Sequence, residues 1–290
     1  MRIDIHTHST ASDGTDSPAE LLRAAATAGL DVVAITDHDS TAGWVEAEQT
    51  LQELPSTMRL VRGMEMSCTG DGEDGSPVAV HLLAYLFDPG NEVFARERER
   101  LRGERVTRLR AMGEHLAADG YPIDIDEILA ATGAAAGRPH LARALVAAGV
   151  VESVDAAFAH LLANNGPYYV EKADTPLTAA VEMVRAAGGV CVLAHARART
   201  RGRLVSVDHI REIAAAGLSG LEVDHIDHAP ADRDMLRSLA DELSLVTTGS
   251  SDYHGTNKTV RLGEFTTDPV QFDKLVAAAT GVGVLTGGTR

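Results

Sequence analysis

The chain has 290 residues, of which 44% are hydrophobic, and it carries a formal net charge of −16. This length and apolar content suit a globular protein with one large core or two moderate ones. No segment reaches the long uncharged run that a membrane helix needs, and the first residues lack the apolar stretch of an export signal, so we expect a cytoplasmic protein without a membrane partner. The negative charge argues against capture of duplex DNA, which depends on many basic contacts to phosphate.

The N-terminal elements have the pattern of a βαβ unit. A short strand is predicted over residues 3–5. Ser17, Pro18 and Glu20 then supply an N-cap, a proline in the first turn and a capping-box glutamate, and they predict a helix that stops at Gly29. Residues 31–36 are nearly all apolar, which indicates a strand buried in a parallel sheet.

The alternation of helix and strand returns in the second half of the chain. Helices are predicted over residues 176–187, 207–216 and 231–243, strands over 189–194, 220–223 and 245–248, and a final helix and strand within 269–285. Repeated βα units with polar clusters at the ends of strands favour a barrel whose site lies at the carboxyl ends of its strands.

Residues 93–169 lack this strand pattern and are rich in arginine, alanine and helical periodicity. We interpret this segment as a helical insertion that forms a lid over the site, since the loops at the carboxyl ends of barrel strands tolerate insertions. The predicted domains are therefore a discontinuous barrel of residues 1–92 and 170–290 and the insertion 93–169.

Six of the twelve histidines lie in short clusters, most of them with acidic residues. Histidine and carboxylate are ligands of divalent metals, and water bound to such metals becomes a nucleophile near neutral pH, so the clusters predict a metallohydrolase. Alternate residues of an extended segment point the same way, which would let both side chains of His6 and His8, and of Asp252 and His254, face one cavity. The clusters are Asp4-Ile5-His6-Thr7-His8, Asp13-Gly14, Thr36-Asp37-His38-Asp39, Gly63-Met64-Glu65, His81, Ala194-His195 and Ser251-Asp252-Tyr253-His254.

These motifs, in this order, resemble those of the polymerase and histidinol phosphatase (PHP) superfamily. The resemblance implies a distorted barrel of seven β/α units and two or three divalent or trivalent ions of Mn, Fe or Zn. It also implies a ligand set: His6, His8, Glu65 and Asp252 for one ion; Glu65 as a bridge to a second ion held by His81 and His195; and Asp13, His38 and His254 for a third.

Asp13, within Ser12-Asp13-Gly14, resembles the branch of the superfamily that acts on small phosphoesters. That branch implies removal of phosphate from nucleotides, including 3′,5′-bisphosphates and 5′-nucleotides, and in some members trimming of RNA from a phosphorylated 5′ end. We expect a metal-bound hydroxide to attack phosphorus, with the catalytic work done by residues that hold the ions. These candidate catalytic residues are Asp13, His38, Glu65, His195, Asp252 and His254.

Candidate substrate contacts lie outside the metal motifs. Arg138 and His140 open a predicted helix, whose N-terminus favours an anion, while Lys172 and Arg197 are further cations. His225 or His140 would protonate the leaving oxygen, or these histidines would instead orient metal ligands or pack beneath the insertion.

Two other functions remain open from the sequence. The first is a histidinol-phosphate phosphatase, which would share the metal ligands. The second is a non-catalytic domain that metal ions stabilise. No feature of the sequence predicts the oligomeric state.

Overall fold

The computed structural model of the protein describes residues 1–163 and 166–288. The chain divides into two compact units. The first unit combines Met1–Arg98 with Asp174–Arg290, and the second unit is Glu99–Ala173.

A nine-stranded sheet, within the described residues, forms the frame of the first unit. Neighbouring strands follow the order β1-β2-β3-β4-β6-β7-β8, and β5 and β9 pair with β3, where the strands are β1 (Ile3–Asp4), β2 (Val32–Ile35), β3 (Arg59–Asp71), β4 (Pro77–Tyr85), β5 (Thr175–Pro176), β6 (Val190–Leu193), β7 (Gly220–Asp224), β8 (Val246–Gly249) and β9 (Leu285–Thr286). A backbone bridge between Thr7 and Tyr253 joins the segments that follow β1 and β8. The sheet is thus a nearly closed barrel, and the predicted α/β barrel is confirmed.

The strands of the barrel are mostly but not wholly parallel. β1, β2 and β3 pair in parallel, and so do β6, β7 and β8. β4 is antiparallel to both of its neighbours, β3 and β6. Only residues 72–76 connect β3 to β4, which is too short for the crossover that a parallel pair requires. The parallel arrangement that the βα pattern predicts is therefore wrong at β4.

Helices follow most of the strands and make up the second unit. Their boundaries lie within one or two residues of the predicted ones in the second half of the chain, and α8 agrees at both ends. The helices are α1 (Pro18–Thr27), α2 (Trp44–Leu51), α3 (Glu92–Ala118), α4 (Ile125–Thr132), α5 (Arg138–Ala147), α6 (Val154–His160), α7 (Leu177–Ala186), α8 (Val207–Ala216), α9 (Pro230–Leu243) and α10 (Pro269–Ala277).

The start of α1 has the capping box that the sequence predicts. The Ser17 hydroxyl accepts a hydrogen bond from the Glu20 amide, and the Glu20 carboxylate accepts one from the Ser17 amide. The helix ends at Thr27, and Gly29 follows with a φ of +72°, a conformation that glycine adopts without strain. This turn leads the chain directly into β2.

The core of the first unit lies inside the barrel. All four residues of β2 are buried, as expected for a strand covered on both faces. Side chains from several strands and from α10 pack together there, among them Ile3, Ile5, Val61, Leu83, Val192 and Phe272. This packed interior fixes the ends of the strands, from which most of the polar clusters extend.

The second unit has its own apolar core. α4, α5, α6 and most of α3 belong to it, and no strand occurs in the described residues between 93 and 174. Its core contains Leu109, Met112, Leu116, Leu141, Leu145 and Tyr168. Over residues 1–163 and 166–288, no helix is both long and apolar enough to cross a membrane.

Candidate metal centre

Four clusters lie where the carboxyl ends of barrel strands meet. His6 and His8 follow β1, His38 follows β2, His195 follows β6, and the pair Asp252 and His254 follows β8. Because the strands β1, β2, β6 and β8 end at the same face of the barrel, these side chains converge although they are distant in sequence.

Glu65 and His81 reach the same cluster by a different route. The sequence places them at strand ends, and that placement is wrong: Glu65 lies inside β3 and His81 inside β4. In this antiparallel hairpin Glu65 is opposite Leu83, and Ser67 is opposite His81. Glu65 and His81 are therefore diagonal neighbours on one face of the sheet, which is close enough for their side chains to meet.

The carboxylate of Glu65 is the centre of the cluster. It is 1% exposed, and its two oxygens face different histidines. Oε1 lies 2.7 Å from Nδ1 of His81 and 2.9 Å from Nε2 of His195. Oε2 faces three further imidazole nitrogens at 3.0–3.2 Å, those of His6, His8 and His38.

Asp252 and Asp13 extend the cluster on either side. Oδ1 of Asp252 lies 3.3 Å from Nε2 of His6 and 3.4 Å from Nε2 of His8. The carboxylate of Asp13 lies 3.4 Å from Nε2 of His254 and 3.7 Å from Nε2 of His38. The structure thus brings together all nine residues predicted to bind metal: His6, His8, Asp13, His38, Glu65, His81, His195, Asp252 and His254.

The donor atoms fit bound cations. Ligand atoms within 4.8 Å of one another form three overlapping groups, which are His6, His8, Glu65 and Asp252; His38, Glu65 and His81; and His8, Asp13, His38 and His254. Nε2 of His6 faces Nε2 of His8 at 3.1 Å, so two imidazole nitrogens approach each other beside the Glu65 and Asp252 carboxylates. Imidazole and carboxylate donors at this density suit divalent ions such as Mn, Fe or Zn.

The pKa values of two histidines in the cluster also indicate a site that favours a cation. Burial lowers the pKa of His8, but its contacts with Asp252 and Glu65 raise that pKa to about 9. Burial also lowers the pKa of His6, and the Glu65, Asp252 and Glu222 carboxylates raise it well above its ordinary value. The buried carboxylates therefore favour positive charge at these rings, and a bound metal ion would supply that charge in place of protons.

The pKa of His254 is shifted in the opposite direction. Burial, together with the nearby charges of His8 and Lys258, lowers its pKa to about 4. Nδ1 of His254 lies 2.8 Å from the backbone oxygen of Asp252 and donates to it when the ring is neutral. Nε2, which faces Asp13, then carries no hydrogen, and its lone pair can bind a metal ion.

Two buried carboxylates on either side of His38, Asp37 and Asp39, support the cluster, and neither had a predicted role. Asp37 accepts hydrogen bonds from the amide of Ser9 at 2.8 Å and from the hydroxyls of Ser9 and Ser12 at 2.8 and 2.7 Å. These bonds fix the turn that carries Asp13. Asp39 accepts from the amide and the hydroxyl of Ser67, both at 2.7 Å, and so ties the same segment to β3.

Glu222 is a third supporting residue that sequence reasoning missed. It is fully buried in β7, where it accepts from Nδ1 of His6 at 3.0 Å and from the amide of His195 at 2.9 Å. A charged residue in an otherwise apolar strand, Gly-Leu-Glu-Val, was the available signal, since an unpaired carboxylate is rarely buried.

The backbone is strained at three of these positions. Asp39, His195 and Asp252 have φ angles of 52°, 28° and 55°, in the left-handed region that residues other than glycine rarely adopt. Such conformations persist where the surrounding contacts fix them, and they concentrate at functional sites.

Two of the predicted substrate contacts, Arg197 and His225, are buried in the first unit and contact other side chains there. Arg197 is 4% exposed, and its guanidinium pairs with Glu73 at 2.6 Å. His225 is fully buried and lies 3.3 Å from Asp252. This contact favours the alternative in which His225 orients a metal ligand.

Arg138, His140 and Lys172 belong to the second unit. α5 begins at Arg138, as predicted. The Arg138 guanidinium donates to the Leu162 carbonyl and packs over the ring of Phe158, and Nδ1 of His140 accepts from the Gly137 amide. The substrate roles of these three residues stay predictions.

Comparison with known proteins agrees with this geometry. The PHP domain model matches residues 4–169. The chain is 31% identical to a 5′-3′ exoribonuclease of Haemophilus influenzae, over 91% of this chain and 93% of the relative. It is 33% identical to a phosphoribosyl 1,2-cyclic phosphate 1,2-diphosphodiesterase of Eggerthella lenta (87% and 94%) and 31% identical to a 3′,5′-nucleoside bisphosphate phosphatase of Chromobacterium violaceum (87% and 87%).

A solved structure from Bifidobacterium adolescentis, assigned to the metal-dependent phosphoesterases, has the same fold. Its TM-score is 0.89 at 38% sequence identity, over 96% of both chains. The three named relatives are enzymes, so the alternative of a non-catalytic domain does not hold, and they give no support to histidinol phosphate as the substrate. The chain belongs to the PHP domain family and is a phosphoesterase.

Proposed function

We propose that the protein hydrolyses phosphate monoesters of nucleotides, with nucleoside 3′,5′-bisphosphates as the first candidate substrates and short 5′-phosphorylated RNA as the second. The observation that carries this proposal is the position of Glu65. Its two oxygens face two different sets of histidines, with His81 and His195 on one side and His6, His8 and His38 on the other. Cations in these two places would share one carboxylate ligand.

The chain's own residues define three metal positions in this proposal. His6, His8, Glu65 and Asp252 would hold one ion, and Glu65 with His81 and His195 a second. Asp13, His38 and His254 would hold a third. Manganese, iron and zinc all suit these donors, and cellular supply selects among them.

The bound cations would lower the pKa of water and neutralise charge on the phosphoryl group. The protein's part is to hold the ligand atoms in fixed directions. Glu222 fixes the ring of His6, and Asp37 fixes the turn that carries Asp13. Such preorganisation removes the cost of arranging charged groups during the reaction.

A phosphorylated substrate is compatible with the acidic chain. The net charge of −16 disfavours long nucleic acid, but bound metal ions reverse the sign of the local field at the site. The phosphatase of C. violaceum and the exoribonuclease of H. influenzae, each 31% identical to this chain, support a small nucleotide or an RNA 5′ end.

A cyclic phosphodiester of ribose is a third candidate substrate. The relative from E. lenta acts on phosphoribosyl 1,2-cyclic phosphate and is 33% identical to this chain over 87% of its length. The same metal positions would suit both substrates, because each presents phosphate oxygens on a ribose.

Product formation by the Mn²⁺-loaded protein distinguishes these candidates, with inorganic phosphate measured for the monoesters and the released mononucleotide or ring-opened ribose phosphate separated by chromatography. The panel contains adenosine 3′,5′-bisphosphate, AMP, a 5′-phosphorylated RNA trimer and phosphoribosyl 1,2-cyclic phosphate. Histidinol phosphate is the control for a monoester without a nucleoside, and Glu65→Gln is the control for metal-dependent release.

We expect the bisphosphate to be hydrolysed with the highest kcat/KM and the RNA trimer to follow. Preference for the cyclic phosphate would select the third candidate. Equal, slow release from every substrate, unaffected by Glu65→Gln, would refute the proposal.

A further inference from the structure

The two carboxylate oxygens of Asp252 have different neighbours. Oδ2 lies 2.5 Å from Nζ of Lys258 and 3.3 Å from Nε2 of His225. Oδ1 lies 3.3–3.4 Å from nitrogens of the proposed metal ligands His6, His8 and His254. One oxygen therefore faces hydrogen-bond donors, and the other faces the metal site.

The hydrogen bond at Nδ1 of His225 determines which ring nitrogen carries the hydrogen. Nδ1 accepts a hydrogen bond from the backbone amide of Asp227 at 3.0 Å, and a backbone N–H can only donate. A neutral His225 ring therefore carries its hydrogen on Nε2, which is the nitrogen beside Oδ2 of Asp252. That hydrogen is directed at the carboxylate.

We propose that His225 is a positioning residue that holds Oδ2 of Asp252 and leaves Oδ1 to the cation shared with His6 and His8. This inference rests on the proposed metal site and deepens it. Hydrogen-bond partners of metal ligands fix the orientation of those ligands, and their loss typically weakens metal binding.

Asp252 has a strained backbone, and contacts from two other residues hold its side chain. Its φ of 55° places the residue in a strained conformation, and Lys258 contacts both its backbone oxygen and Oδ2. His225 approaches Oδ2 from the loop after β7, whereas Lys258 follows Asp252 in the chain. The carboxylate is held from two independent segments.

The competing role for His225 is that of proton donor to the leaving oxygen. The side chain of His225 is 0% exposed, and its one donated hydrogen is directed at Asp252. A general acid must instead lie within hydrogen-bond reach of the substrate oxygen that it protonates.

Metal affinity measures the positioning role directly. The affinity for Mn²⁺ would be determined by competition with a chromophoric chelator for the wild type, His225→Leu and His225→Gln. We expect His225→Leu to bind Mn²⁺ about 10- to 100-fold more weakly. His225→Gln, whose side-chain amide can donate to Oδ2, should recover most of that loss.

His228→Gln is the matched control. His228 is buried in the same loop, and its ring centroid lies 5.6 Å from that of His225. Its ring contacts the Val223 carbonyl and the Arg197 amide, not Asp252. We expect this variant to bind Mn²⁺ like the wild type, and circular dichroism of each metal-free variant checks that the fold is retained.

Rates for substrates with different leaving groups also distinguish the positioning role of His225 from the general-acid role. Loss of a general acid slows a ribose phosphate by about 10²- to 10⁴-fold and leaves p-nitrophenyl phosphate, with its good leaving group, nearly unchanged. Loss of positioning slows both substrates by the same factor, and saturating Mn²⁺ restores both.

Wild-type Mn²⁺ affinity in folded His225→Leu would overturn the inference, as would a defect confined to the ribose phosphate or an equal loss of affinity in His228→Gln. A wild type that binds Mn²⁺ and hydrolyses no phosphoester would refute the proposed function alone. The affinity comparison would still decide the role of His225.

Discussion

Nδ1 of His6 and Oε1 of Glu222 lie 3.0 Å apart, and both side chains are fully buried. The contact fixes the hydrogen of a neutral His6 ring on Nδ1 and directs Nε2 at the carboxylates of Glu65 and Asp252. A histidine oriented by a carboxylate in this way is a stronger metal ligand than a free imidazole.

Glu222→Gln should therefore weaken metal binding. Glu222 accepts from His6 through Oε1 and from the amide of His195 through Oε2, and glutamine replaces one of these oxygens by an NH₂ donor, so one of the two contacts loses its acceptor. We expect an affinity for Mn²⁺ about 10- to 100-fold below that of the wild type, measured by competition with a chelator. Glu242→Gln, at an exposed position of α9, is the control. Equal affinities for the two variants would contradict this account of Glu222.

Asp37→Ala should cost the protein one bound ion. The substitution removes the three hydrogen bonds by which Asp37 holds the turn that carries Asp13, while the residues around Glu65 keep their contacts. Metal content by mass spectrometry of the loaded protein should fall by one ion per chain, as it should in Asp13→Ala. Asp31→Ala, which breaks the contacts of a partly exposed carboxylate with Arg2 and the N-terminus, is the control and should keep all ions. The same loss in Asp31→Ala would show that the effect is not specific to the turn.

The stability of the metal-free protein should fall as the pH rises from about 6.5 to about 9. The pKa of His8 is raised from 6.5 to about 9, and that of His6 is raised well above its ordinary value. A group with a raised folded-state pKa stabilises the fold fully below its unfolded pKa, and this contribution is lost as the pH passes the folded pKa. Urea unfolding at several pH values in the presence of a chelator measures the free energy of unfolding. His8→Gln should flatten the decline, and a stability that rises across this range would disprove the assignment.

Removal of metal should lower the melting temperature. Cations that bind only the folded chain stabilise it by mass action, by roughly 2.7 kcal/mol when their free concentration is 100 times the dissociation constant. Differential scanning calorimetry of chelated and Mn²⁺-reloaded protein should show a reversible increase in the melting temperature on reloading. Glu65→Gln should show a much smaller increase, because its side chain has lost the charge shared by two metal positions. An equal increase in the variant would place the stabilising ion elsewhere.

Most of the barrel could be predicted from local patterns. The capping box of α1 and the apolar run of β2 each define an element without reference to the rest of the chain. The β3–β4 hairpin could not be recognised in this way, because polar and apolar residues alternate irregularly over Arg59–Asp71 and no helix separates the two strands. Glu65 and His81 were consequently assigned to strand ends although both lie within strands.

The candidate ligands were easier to predict than their supporting partners. Two compact motifs contain four of the ligands. Within each motif, His6 with His8 and Asp252 with His254, the two residues are close in sequence and could be predicted as a pair. Glu222 contacts His6 from 216 positions further along the chain. Only the fold brings these two segments together, and a single glutamate in an apolar strand has no motif around it.

The most direct test of the account is phosphate release from adenosine 3′,5′-bisphosphate while Mn²⁺ is titrated into metal-free protein. We expect no release in the presence of chelator, and release that rises with Mn²⁺ and levels off once two or three ions are bound per chain. Release that persists without metal, or none at full occupancy, would contradict it.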